Sequence, residues 1–194
     1  DRMPVVPRLA DEYAVVVPHR RGHGESGENG SYGLDKEVED ISAVLDAIDG
    51  DPALFGHSFG GLVALETARV TPVDRLVAYE PGVLVDEYRE QADLAAKMQA
   101  ELDAGDPVEA TKVYVREVIH GGDVDDLDAW LEAWPPWPGL ADIAENITRM
   151  NRAIESYRLP EALDVEAPTL LLTGTEGPPH LRECGPTGAD DRGA

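Results

Sequence analysis

Ala53-Leu54-Phe55-Gly56-His57-Ser58-Phe59-Gly60-Gly61 is the stretch from which the rest of the 194-residue chain is read. A short apolar run leads into Gly56-His57-Ser58-Phe59-Gly60, a G-x-S-x-G pattern, and Leu62 to Val70 follows as an apolar, helix-forming segment. The pattern carries meaning only between a strand and a helix, and both flanks are right here. The turn is so sharp that side chains at Gly56 and Gly60 are expected to collide with neighbouring backbone. Ser58 then stands on a strained corner with its hydroxyl exposed, as a candidate nucleophile. The N–H of Phe59, at the start of the helix, points to where a carbonyl oxygen becomes negative, as an oxyanion donor. The structural alternative is a Gly-rich strand-to-helix turn with an incidental serine.

Working outward, Tyr13-Ala14-Val15-Val16-Val17 is a continuous apolar run, the pattern of a strand covered on both faces. Asp1 to Ala10 resembles the end of a helix. Leu34 to Ile48 reads as a helix, with Leu34, Val38, Ile41, Leu45 and Ile48 at three- and four-residue spacing, stopped by Gly50-Asp51-Pro52. Arg75 to Tyr79 is a further strand, ended by Glu80-Pro81-Gly82, and Thr169 to Thr173, after Pro168, is the last. Such alternation implies a parallel sheet wrapped by helices. Asp86–Ala104, Asp106–Ile119, Asp123–Trp134 and Gly139–Tyr157 are helical with no strand between them, which reads as a lid over the carboxyl ends of the strands. The expected organisation is a core of residues 1–82 and 159–182, a helical lid of 83–158, and a disordered tail of 183–194. Trp130, Trp134 and Trp137 either line a substrate pocket or pack the lid's own core.

The formal net charge is -23, with 39 acidic residues and three lysines, Lys36, Lys97 and Lys112. A phosphate backbone needs a basic face, so nucleic acid is not an expected partner. Acidic residues spread along the chain, with so few lysines, point to a salt-adapted cytoplasm. Cys184 is the sole cysteine, so no intrachain disulfide forms. No signal peptide and no membrane-length apolar run are present, and a cytoplasmic location follows. The start at Asp1, with Met3 as first methionine, reads as an interior cut. Gly22-His23-Gly24-Glu25-Ser26-Gly27 fits G-x-G-x-x-G, but a dinucleotide site needs a helix opening on those glycines, and Glu28 to Ser31 continue the loop. His19 and His23 lack a third ligand nearby, so neither metal nor cofactor is expected. His57 points away from its neighbour Ser58 and reads as a packed or hydrogen-bonded histidine rather than the base.

Four stretches, in order, resemble the α/β-hydrolase superfamily, specifically its small single-domain members with a helical lid. They are Arg21-Gly22-His23-Gly24-Glu25-Ser26-Gly27, Gly56-His57-Ser58-Phe59-Gly60-Gly61, Tyr79-Glu80-Pro81-Gly82 and Pro168-Thr169-Leu170-Leu171-Leu172-Thr173-Gly174. The resemblance implies a parallel sheet flanked by helices, with Ser58 as nucleophile, the Phe59 N–H as one oxyanion donor, and no cofactor. It points to ester-like bonds of small molecules, cleaved through an acyl-enzyme, as in esterases, thioesterases, perhydrolases and C–C hydrolases. A serine nucleophile points away from haloalkane dehalogenases and epoxide hydrolases.

Several features depart from the superfamily pattern. The strand and His-Gly loop that supply the second oxyanion donor lie upstream of the first residue. That strand normally sits between the Tyr13–Val17 strand and the elbow strand, so an incomplete sheet is expected. The catalytic histidine normally follows one more strand after Leu170–Thr173, and neither His120 nor His180 occupies its place. His19 stands where the loop usually begins with Asp, and the tail resembles an altered reading frame. The acid is Glu80 or Glu176, with Glu80 preferred; its structural alternative is a capped or solvated loop carboxylate. The resulting expectation is a serine hydrolase impaired by the missing histidine and loop. The alternatives are a non-catalytic remnant or small-ligand-binding protein on the same fold, or a fragment completed by a separate chain.

Overall fold

Two apolar runs beside the G-x-S-x-G stretch fold as strands β1 (Ala53–His57) and β2 (Arg75–Tyr79), and the run after Pro168 folds as β3 (Thr169–Leu172). The structure is a computed structural model that describes residues 6–27, 31–122 and 124–175. Both pairings are parallel, in the order β1-β2-β3, with Phe55 opposite Val77 and Val77 opposite Leu170. Parallel neighbours require crossovers. Helix α3 (Phe59–Ala68) provides the first, and a long helical segment provides the second. α3 is apolar on every side, which suits a helix with no solvated face. Leu62 and Val63 pack with Phe59 and Val83, while Ala64 and Leu65 pack with Leu76 and Ala78 of β2. The sheet is incomplete, as expected: among the described residues β1 pairs only with β2, and Phe55 and Leu170 to Leu172 are exposed.

The described residues fall into two units, divided between Gly30 and Ser31. In the first, α1 (Val6–Leu9) is a single helical turn. The expected strand Tyr13–Val17 is corrected here: no strand forms, and Tyr13, Val16 and Val17 are 58%, 57% and 53% exposed. Apolar composition makes a run worth burying. A strand, however, exists only through a neighbouring strand that pairs its N–H and C=O groups, and among the described residues none lies beside it; the Tyr13 N–H closes a turn on Leu9 O at 2.9 Å. Residues 22 to 27 fold as successive turns, with the His23 N–H donating to Arg20 O and the Ser26 N–H to His23 O. No helix opens on these glycines. Gly24 holds φ +55, and a Cβ there would lie 2.5 Å from His19 Nδ1, so the turn needs glycine.

In the second unit, α2 (Leu34–Asp46) turns Leu34 and Ile41 onto the α3 cluster and buries Leu45; it ends before Ile48. Between β2 and β3 come α4 (Asp86–Glu90), α5 (Leu94–Asp103), α6 (Pro107–Tyr114), a π-helical turn at Val115–His120, α7 (Leu127–Ala133), α8 (Trp137–Leu140), a 3-10 turn at Ala141–Ile143, and α9 (Ala144–Ser156). The abundant aspartates do local work at helix starts. Asp106 Oδ1 accepts the Glu109 N–H at 2.8 Å, and Asp126 Oδ1 accepts the Ala129 N–H at 3.0 Å. The segment expected as one helix over 86–104 is broken between Glu90 and Leu94, and that over 106–119 changes to π geometry after Tyr114. Two apolar clusters build the lid. Met98, Ala110, Val113 and Ile147 form one; Val115, Leu127 and Leu131 form the other, with the three tryptophans packed around them. None of the described helices is long and apolar enough to cross a membrane. Residues 176–194, with Glu176, His180, Cys184 and the expected tail, lie outside the described residues.

Candidate active site

β1 ends at His57 and α3 begins at Phe59, so Ser58 alone makes the turn between them, with φ +53 and ψ -125. Residues with a Cβ seldom adopt this backbone conformation. Four backbone hydrogen bonds hold it. The Ser58 N–H donates to Tyr79 O at 3.0 Å, and Ser58 O accepts from the N–H groups of Gly61, Leu62 and Gly82 at 2.8, 3.1 and 2.8 Å. The hydroxyl caps no helix N–H. Ser58 lies on the wall of a cavity of about 210 Å³, covered by residues of the Pro81–Leu84 turn, the lid helices α5 and α6, and α9.

The glycines divide unequally. A Cβ on Gly56 would lie 2.6 Å from the carbonyl carbon of Gly60 and 2.8 Å from Gly61 Cα, so the expected collision is present there. At Gly60 the expectation is corrected: a Cβ would meet nothing within 4 Å. Gly60 is the second residue of α3, where the side-chain direction is open. The second tight position is Gly61, whose Cβ would stand 3.0 Å from Pro81 Cα. Phe59 is buried at the head of α3, and a side chain on Gly82 would crowd its N–H, at 3.3 Å.

Glu80 sits just past β2 with φ +43 and is 7% exposed. Its N–H donates to Leu172 O at 2.7 Å, and its Oε1 accepts the Gly174 N–H at 2.9 Å, so one residue ties the ends of β2 and β3. Its Oε2 is 3.7 Å from His57 Nε2, and the His57 ring stacks on Tyr79 at 5.0 Å. His57 thus stands beside the carboxylate with its side chain 46% exposed, and it is not among the residues lining the cavity. His120 stands edge-on to Trp130 at 4.4 Å, its Nε2 buried without a hydrogen bond, and it too is absent from the cavity wall. Trp130, Trp134 and Trp137 pack the lid rather than line the cavity. His19 Nδ1 accepts the Glu25 N–H at 3.1 Å. Among the described residues no group of three His, Cys, Asp or Glu is placed to hold a metal. Glu176 is outside the described residues.

Sequence reasoning did not single out the lid's contribution to the wall: Asp93, Glu117, Asn151 and Glu155. Helical periodicity shows which face of a helix is apolar, but not which polar residue at its border turns toward a serine about a hundred residues away or fewer. Burial pushes the Tyr114 phenol up from its ordinary pKa, and burial together with the Glu66 hydrogen bond does the same for Tyr157.

A serine lifted on a strand-to-helix bend, at the end of a parallel sheet and under a helical cover, defines an α/β-hydrolase. The chain belongs to the Alpha/beta hydrolase family, whose sequence profile matches residues 2–190. Its fold is similar to that of an alpha/beta hydrolase from Sphaerobacter thermophilus, with a TM-score of 0.78 and 31% identity, covering 92% of this chain and 71% of that one. It is also similar to Lipase LipV of Mycobacterium tuberculosis, at 36% identity over 102 residues, and to the Magnesium-chelatase 30 kDa subunit of Rhodobacter capsulatus, at 33% over 99. Those matches take in 51% and 50% of this chain, and 39% and 34% of the two relatives' own lengths.

Proposed function

We propose that this chain cleaves an ester-like bond of a small molecule through Ser58 and an acyl-enzyme. The observation that carries the reading is the backbone of Ser58, at φ +53 and ψ -125 on the wall of a cleft beneath the lid helices. Strain of this kind persists where the surroundings over-determine it, and it clusters at functional sites. Ser58 Oγ attacks the carbonyl carbon, the Phe59 N–H meets the oxygen as it becomes negative, and water later releases the acyl group. Glu80, rather than Glu176, is the carboxylate assigned to orient a base; it is buried, and the Gly174 N–H fixes its orientation. Among the described residues, none lining the cavity is a histidine. Each oxyanion donor is worth about 3–4 kcal/mol of transition-state stabilisation in such a step. No cofactor and no nucleic acid enter this scheme.

The test is hydrolysis of p-nitrophenyl acetate and butyrate by the chain and by Ser58→Ala. Turnover that disappears in the variant is the expected result, and equal rates would refute the nucleophile. The same cavity, with no histidine among the described residues that line it, favours a second reading, a small-ligand-binding protein on this fold. That reading expects saturable binding of a small ligand and no covalent labelling of Ser58 by a fluorophosphonate.

A further inference from the structure

The polar part of the cavity wall is one-sided in charge. Asp93, Glu117 and Glu155 line it, and among the described residues its lining includes no lysine, arginine or histidine. Two cations stand behind the wall: Lys97, 2.8 Å from Asp93 and 2.9 Å from Glu117, and Arg89, which donates to the carbonyl of the wall residue Leu84. Hydrogen bonds to Asp93 and Glu117 raise the pKa of Lys97, so it stays charged. These two cations leave the three carboxylates of the wall in excess by one. Glu155 accepts the Ala95 N–H on Oε1 at 2.9 Å and has no ion-pair partner among the described residues. Asn151, 5% exposed, donates through Nδ2 to Ile147 O at 2.8 Å, which leaves its Oδ1 as a further acceptor on a wall already rich in them. Tyr88 and Tyr114 add aromatic rings, and Val83, Leu94 and Ile154 add an apolar floor.

A concave site with walls of one sign focuses its potential on whatever enters. An ammonium group entering here meets a wall of carboxylates and aromatic residues, and both kinds of group attract cations. A carboxylate-bearing ligand adds a further negative charge and, among the described residues, has no cation on the wall to receive it. The volume, about 210 Å³, is below the usual range of about 300–1,000 Å³ for drug-sized ligands, so the ligand is small.

We propose that the cavity selects small esters whose acyl or alcohol part carries an ammonium group, and rejects those carrying a carboxylate. This rests on the reading of Ser58 as the nucleophile, with the ester carbonyl at Ser58 and the ammonium toward Glu117 and Glu155. The test is calorimetric binding to Ser58→Ala, which keeps the ligands intact. Three matched probes are compared: 3-(trimethylammonio)propyl acetate, its neutral isostere 4,4-dimethylpentyl acetate, and the anion 4-acetoxybutanoate. The expected result is a Kd for the cation about tenfold below that of the neutral ester, a preference that shrinks as salt is raised, and no saturable binding of the anion. Adding Glu117→Gln and Glu155→Gln should bring the cation to the affinity of the neutral ester and leave the latter unchanged. Equal or weaker binding of the cation, saturable binding of the anion, or no binding of any probe would each overturn the proposal. The ligand comparison within one variant stands even where a glutamine variant fails to fold. Fluorophosphonate labelling of the unmodified chain reports on the nucleophile separately. Cation preference without labelling removes the nucleophile and keeps the selectivity, and labelling without preference does the reverse.

Discussion

Ser58→Gly should make the chain more stable although it removes the hydroxyl assigned to attack. The residue holds φ +53 and ψ -125, a conformation that costs a residue with a Cβ on the order of 1–3 kcal/mol. Glycine reaches positive φ about as readily as negative φ, so most of that cost disappears. The gain is offset by the greater freedom of glycine in the unfolded chain, about 0.4–1 kcal/mol. The Ser58 side chain caps no helix N–H, so no such bond is lost. The net expectation is a stabilisation of about 1 kcal/mol, or about 2–4 °C in Tm for a chain of this size. Ser58→Ala keeps the Cβ and therefore the strain, and should shift stability by less than about 0.5 kcal/mol. Urea unfolding followed by far-UV circular dichroism, run on the chain and both variants, reads the difference. A glycine variant no more stable than the alanine variant would refute the argument that the corner is strained.

The glycine pair gives a second contrast. Gly56→Ala drives a methyl group into the backbone of Gly60 and Gly61 and should cost about 3 kcal/mol or more, the upper end of overpacking. Gly60→Ala places its methyl group in open space within α3 and should stabilise by about 0.5–1 kcal/mol; thermal melts of both separate the two. The Tyr157 hydroxyl donates to Glu66 Oε1 at 2.6 Å, and Arg69 holds Glu66 Oε2 at 2.7 Å, so Tyr157→Phe should cost about 1–2 kcal/mol. Burial first, then Glu66, raises the Tyr157 pKa above its ordinary value. The fold therefore favours the protonated phenol: its stability contribution is complete below a pH of about 10 and declines as pH rises beyond it. That alkaline decline should be smaller in Tyr157→Phe, measured as ΔG of unfolding against pH.

The strands next to the corner were legible because three signals agreed at each: an apolar run, a glycine or proline boundary, and a length of four or five residues. Ala53–His57 and Arg75–Tyr79 fold as read for that reason. Tyr13–Val17 carries the apolar signal just as strongly and forms no strand, because pairing is a property of two segments and composition belongs to one. Within the corner, G-x-S-x-G placed the bend at Ser58 but assigned one clash to Gly60 that belongs to Gly61. The difference lies in the loop that packs against the helix: Pro81 approaches Gly61, and nothing approaches Gly60. Glu80 was visible as a residue just after a strand; its tie to Gly174 needed β3 in place beside β2. The carboxylates of the wall were the least legible, since Asp93, Glu117 and Glu155 resemble the many solvated acids of the lid.

Met150 of α9 packs against both the Met98–Ile147 cluster of the lid and the Phe59–Val83 cluster beneath the serine corner. Cover and corner thus share a wall, and neither is a detachable module. Grafting the helices of a relative onto this sheet would transplant half of an interface, and the donor would have to supply its own match for Phe59, Leu62 and Val63. Drift in what this chain accepts is accordingly tied to the residues just after Ser58, and new preferences should arise through paired changes across that shared wall rather than in the helices alone.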